Sequence, residues 1–107
     1  MKPLVWIPAL AILAACGSPL PQEDPAAVGT ADAVVTSGDT VDVAFVPDAG
    51  YEYFEGTTFV LGSEIPVGGV VDDAALIASG DRLRVWTDAC AESFPVQCIV
   101  TAVEVLD

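Results

Sequence analysis

The sequence predicts a mainly all-β domain: a small five-stranded OB-like barrel with one short helix between strands 3 and 4. Three observations carry this. Apolar and polar residues alternate with period two in short runs. Glycine and proline clusters separate those runs. One segment, residues 72–80, breaks the β pattern and fits one or two helical turns. The resulting order, three strands, a helix and two strands, is that of an OB-type barrel. A β-sandwich fragment or a meander would use the same elements.

The first strand is the Val-bearing run 31–36, closed by the turn residues Ser37-Gly38-Asp39. In 40–46, Val41, Val43 and Phe45 fall on one face, with Asp42, Ala44 and Val46 on the other. Pro47-Asp48-Ala49-Gly50 ends that strand, and a short aromatic run, Tyr51 to Glu55, stops at Gly56. Residues 57–61 form the third strand, rich in β-preferring types. The stretch 62–69 holds three glycines and a proline and reads as irregular. Asp72 or Asp73 then caps the helix, and Gly80 suits the position after its end. Strand 81–87 places Leu83 and Val85 inward and Arg82, Arg84 and Trp86 outward. The last strand, 98–106, puts Ile99, Val103 and Val105 on one side.

Ahead of the domain stands Leu13-Ala14-Ala15-Cys16, at the end of an apolar run that follows Lys2. A positive end, a short apolar stretch and small residues before a cut are the marks of a secretory signal. Directly before a cysteine they read as a lipobox. The expected division is a lipoprotein signal peptide at 1–15, a lipidated Cys16 heading an acidic, proline-rich flexible tether at 16–27, and the barrel domain at 28–107. The apolar run is too short to span a bilayer, which takes about 20 residues. The tether is expected to reach roughly 15–20 Å from the membrane. In bacterial lipoproteins that this leader resembles, an Asp after the Cys favours inner-membrane retention. Gly17-Ser18 lacks it, which leans to the outer membrane where the cell has one. The expected location is the cell envelope, facing the extracytoplasmic space.

The chain carries sixteen acids, three cations and no histidine, for a net charge of −13. Without Lys2 only Arg82 and Arg84 oppose the acids, leaving −14. Such a surface repels phosphate backbones and anionic headgroups, so the expected partners are the membrane through its lipid and an envelope protein or small molecule, with no nucleic acid. The charge also fits plain solubility, a salty environment, or a cationic partner or divalent metal.

Toward the C-terminus three elements stand in series. They are Gly80-Asp81-Arg82-Leu83-Arg84-Val85-Trp86, then Glu92-Ser93-Phe94-Pro95-Val96-Gln97, then an apolar strand ending Val103-Glu104-Val105-Leu106. Together they resemble the YobA-like family (DUF3221) of small exported, mostly lipid-anchored bacterial proteins. The likeness is good over 80–106 and weak over 28–79. It implies an OB-like architecture and an envelope location, and it brings no catalytic residue. The chain departs from the family in Cys90 and Cys98 and in replacing lysines with arginine or acid.

Cys90 and Cys98 flank the last hairpin loop, nearly symmetrically about Phe94. Paired strands bring such positions within reach of a disulfide, and an oxidising compartment permits it. The spacing is not the Cys-x-x-Cys of redox pairs. A zinc shell would have to be completed by carboxylates.

Close carboxylate pairs exist at Glu52 and Glu55, Asp72 and Asp73, and Asp39 and Asp42. A glycosidase also needs a cleft that so small a barrel rarely offers. Calcium fits the oxygen-rich surface, but no loop has the Asp-x-Asp-x-Asp-Gly spacing. Serine chemistry lacks its usual base, because histidine is absent and lysine is confined to Lys2. The sequence therefore calls for no enzyme activity, cofactor or metal. The candidate binding face is Trp86, Phe94, Tyr51, Tyr53, Arg82 and Arg84, whose rings either stack on a ligand or plug the small barrel. The expectation is a non-enzymatic binding or adaptor module. Its alternatives are a carboxylate-based calcium protein or small envelope enzyme, and a structural, stress-protective lipoprotein.

Overall fold

The computed structural model describes residues 20–107. The expected signal peptide and Cys16 lie outside the described residues. The chain forms six strands: β1 Ala27–Ser37, β2 Thr40–Pro47, β3 Thr58–Leu61, β4 Val67–Gly69, β5 Arg82–Ala91 and β6 Gln97–Val105. They make one sheet in the order β3-β2-β1-β5-β6-β4. All ladders are antiparallel except β4 with β6.

The mainly β class and the small curled sheet agree with the sequence, with two corrections. The sheet is not closed by a continuous ladder, and it has six strands rather than five. Both follow from the break at 62–66. Gly62 and Pro66 interrupt what would be one edge strand. The first part pairs with β2 and the second with β6, so β3 and β4 end up at opposite edges although they are neighbours in the chain. β3 still lies against β6 across the gap, so the sheet wraps around one core.

The expected helix over 72–80 is a single 3₁₀ turn, Ala74–Leu76. Asp73 caps it as expected, its carboxylate accepting from the Ala75 N–H at 2.9 Å. The turn stops because Ile77 swings into extended backbone and drops its side chain into the core, 4% exposed. Three residues are too few to nucleate an α-helix. Residues 52–54 form a second 3₁₀ turn that buries Phe54.

Inward positions follow the alternation. Val41, Val43 and Phe45 of β2, Phe59 and Leu61 of β3, Leu83 and Val85 of β5, and Val103 and Val105 of β6 are all buried. The Phe45 and Phe59 rings meet edge-on at 5.0 Å, with Phe54 beyond at 5.8 Å from Phe59. β1 faces them with small residues only: Ala27, Gly29 and Ala31. A Cβ on Gly29 would stand 2.2 Å from the Val46 carbonyl oxygen and 2.7 Å from the Phe45 ring, so the bare backbone is what admits the ring.

Bulges explain where the alternation fails. The β5–β6 register slips between Trp86 and Thr87 and again before Cys90. Each slip exchanges inside for outside. Ile99, expected beside Val103 and Val105, is consequently 61% exposed, and Val100 takes the buried place.

Candidate functional site

The structure divides the six candidate face residues into two groups. Arg82, Arg84, Trp86 and Tyr51 line one cavity of about 680 Å³ on the outer face of β1, β5 and β6. Tyr53 and Phe94 belong to the hairpin end.

Arg82, Arg84 and Trp86 of the first group sit on alternate outward positions of β5, and Tyr51 precedes the 3₁₀ turn at Glu52–Phe54. Arg82 reaches Asp48, which follows β2, through two parallel hydrogen bonds of 3.1 and 2.8 Å. This fork holds the Asp48 carboxyl below its ordinary range, chiefly through the hydrogen bond from Arg82. Arg84 crosses to Glu104, its β6 neighbour, at 3.2 Å. Both described cations are therefore paired, and the other carboxylates of this surface have none to pair with.

Trp86 points outward, as the alternation demands, yet is only 5% exposed. It does not join the inner core cluster. Its cover is the segment 20–25, expected to belong to a free tether. The indole N–H donates to the Glu23 carbonyl at 3.0 Å. Leu20 lies over Gly68, where a Cβ would stand 3.0 Å from the Leu20 methyl. The segment then enters β1 as the Ala26 N–H bonds the Val85 carbonyl at 2.9 Å. A prolyl nitrogen cannot donate to a ladder, so Pro21 and Pro25 suit an extended path across the sheet rather than a strand within it.

The second group clusters around the loop between β5 and β6. The Tyr53 hydroxyl donates to Glu92 at 3.1 Å, and this hydrogen bond, which ionising the phenol would forfeit, pushes the phenol above its ordinary value. Phe94 is 92% exposed at the apex and precedes a cis proline peptide at Pro95. Cys90 and Cys98 face each other across the ladder and are joined by a disulfide, their Cα atoms 4.0 Å apart. Beneath the loop, the buried Thr57 hydroxyl donates to the Val96 carbonyl at 2.9 Å.

A further cavity of about 500 Å³ is rimmed by Asp32, Glu52 and Glu55. Glu52 is held below the usual carboxylate range by the Gly50 N–H, which meets both carboxylate oxygens at 3.1 and 3.0 Å. Among the described residues, no three Cys, Asp or Glu side chains converge as a metal site. No described helix is long and apolar enough to cross a membrane.

Sequence reasoning missed Asp48, Leu20 and Glu23. Asp48 looked like turn chemistry, and its partner lies 34 residues away. The signal for the covering segment was present in Trp86 itself. A tryptophan at an outward sheet position needs either a partner or a cover.

Comparison with protein-family models, with curated proteins and with solved structures returns no match.

Proposed function

We propose that this chain is a lipid-anchored, extracytoplasmic binding or adaptor module of a bacterial envelope, without enzymatic activity. One observation carries the reading: Leu13-Ala14-Ala15-Cys16 ends a short apolar run, directly before a proline-bearing segment and a β domain. The Cys90–Cys98 disulfide suits an oxidising compartment. The likeness of residues 80–106 to the YobA-like family supports the same location. The non-enzymatic part rests on chemistry: the chain has no histidine, Lys2 is its only lysine, and both arginines of the domain are spent on ion pairs. The partner is an envelope protein or small molecule. The sheet's outer face around Trp86 is the surface with both a cavity and aromatic and charged groups to meet it.

The test is intact mass of the protein taken from its native membrane, before and after reduction and alkylation. The expected mass is that of residues 16–107 plus acyl chains, with two alkylation sites appearing only on reduction. An uncut, unacylated chain would overturn the anchor, and mutation-dependent turnover in a hydrolase screen would overturn the non-enzymatic reading.

A further inference from the structure

The surface around Trp86 carries an inference about its regulation and its partner, which rests on the reading of this chain as a binding module. Trp86, Tyr51, Arg82 and Arg84 surround one cavity, and the chain's own residues 20–25 lie across it. Two contacts hold that crossing: the Trp86 indole on the Glu23 carbonyl, and Leu20 over Gly68. The arginines form their ion pairs with Asp48 and Glu104 rather than with the acids of this segment. Gln22, Glu23 and Asp24 remain exposed. The segment borders an open cavity of about 680 Å³ rather than filling the face. Close packing is the rule where a cover is integral to a core. Here the middle of the cover, residues 22–24, is polar and exposed, and the strand ladders below it pair without it.

We propose that residues 20–25 are a displaceable strap over a peptide-recognition face, and that the face, when open, takes an extended, proline-bearing segment of another chain that brings an apolar side chain to Gly68. The strap itself displays the required chemistry. A main-chain carbonyl answers the indole N–H, an apolar side chain rests on Gly68, and prolines keep the segment extended at low entropic cost. The strap precedes β1 directly, so the face is closed by the chain's own N-terminal approach to the sheet. Affinity for a partner is then reduced by the fraction of molecules whose strap is closed.

The experiment uses the full chain with Trp6→Phe in detergent, so that Trp86 is its sole tryptophan. The probe is a synthetic peptide of residues 17–27. Leu20→Ala trims the side chain seated over Gly68 and loosens the strap without touching Trp86, leaving Gly68 free for the peptide's own leucine. Leu20→Ser does the same with a polar side chain, and serves if the first variant folds poorly. The expected result is a red shift of Trp86 emission in either variant, reversed by the peptide, with the peptide bound at least about tenfold more tightly than by the parent. Adding Trp86→Phe to the loosened chain is expected to lower that affinity. A red shift without peptide binding would overturn the recognition face. Unchanged emission and affinity in both variants would overturn the displaceable strap. Sedimentation separates the two sources of the segment: a monomer that binds peptide points to a foreign chain, and a dimer of the loosened variant points to strap exchange between copies. If Cys16 proves acylated and the peptide fails, only this inference falls; if Cys16 is unacylated and the peptide binds, only the location falls.

Discussion

The two ends of the β5–β6 hairpin are held together by different means. At the base, Leu83, Val85, Val103 and Val105 are at most 1% exposed and pack onto the phenylalanines of β2 and β3. Toward the tip, two bulges break the inward alternation, Ile99 and Phe94 face solvent, and a disulfide joins the strands. Thr57, just before β3, ties the tip down by donating to the Val96 carbonyl. At the tip the buried apolar surface thins to Val96 and Val100, with the half-cystines packed against it, and covalent and polar ties supplement it. For so small a domain this matters, because a core of this size leaves only a modest stability margin.

The comparison breaks most visibly at the base. Phe59→Ala removes the ring between Phe45 and Phe54, with an expected loss of about 3–5 kcal/mol. Urea unfolding checks it, and much of the domain's stability should go. At the tip, Cys90→Ala with Cys98→Ala reopens a short loop and should cost about 2–3 kcal/mol in the chain-entropy account. The sharper expectation is local: hydrogen exchange should speed up in 88–98 while β2 and β3 keep their protection. A uniform rise would erase the distinction between the ends. Thr57→Val keeps the shape but orphans the buried Val96 carbonyl, for an expected loss of about 1–3 kcal/mol. Exchange should rise at both 54–57 and 95–98.

The smallest effect is acid titration of the surface ties. Asp48 and Glu52 are both held below their ordinary carboxyl values, Asp48 by Arg82 and Glu52 by the Gly50 N–H. Their contribution is therefore complete above the unfolded carboxyl range, near pH 4, and fades as pH falls through the lowered folded values. Melting temperature should decline below about pH 4, and Asp48→Asn should flatten part of that decline. Hairpin-tip exchange should not follow this titration, since the ion pair lies at the other end of β5.

Much of the fold was legible because side-chain alternation is local. Val41, Val43, Phe45, Leu83 and Val85 were placed inward correctly from period two alone. So were the turn at Gly38 and the cap at Asp73, whose chemistry acts within three residues. Ile99 was misplaced because a bulge leaves no mark in composition. The 72–80 segment was read as too long a helix because Ile77 had to leave it to reach the core. At the candidate site, the face residues of β5 were legible as outward, but their partners were not. Asp48, Glu104 and Glu23 come from distant parts of the chain, and nothing in a linear pattern pairs them with Arg82, Arg84 and Trp86.

The amino-acid sequence by itself determined the β class, the inward set of each regular strand, the acidic surface and the cysteine pair, since all depend on composition or on spacing within a few residues. Tertiary structure alone decided that Val67–Gly69, in the stretch expected to be irregular, pairs as a sixth strand at the edge opposite β3, and that the sheet stays open. It also decided that Phe45 packs over Gly29, and that a proline-rich segment lies across Trp86 instead of hanging free. Those outcomes turn on which surfaces meet after the chain has curled, and the energy of a meeting belongs to both surfaces at once.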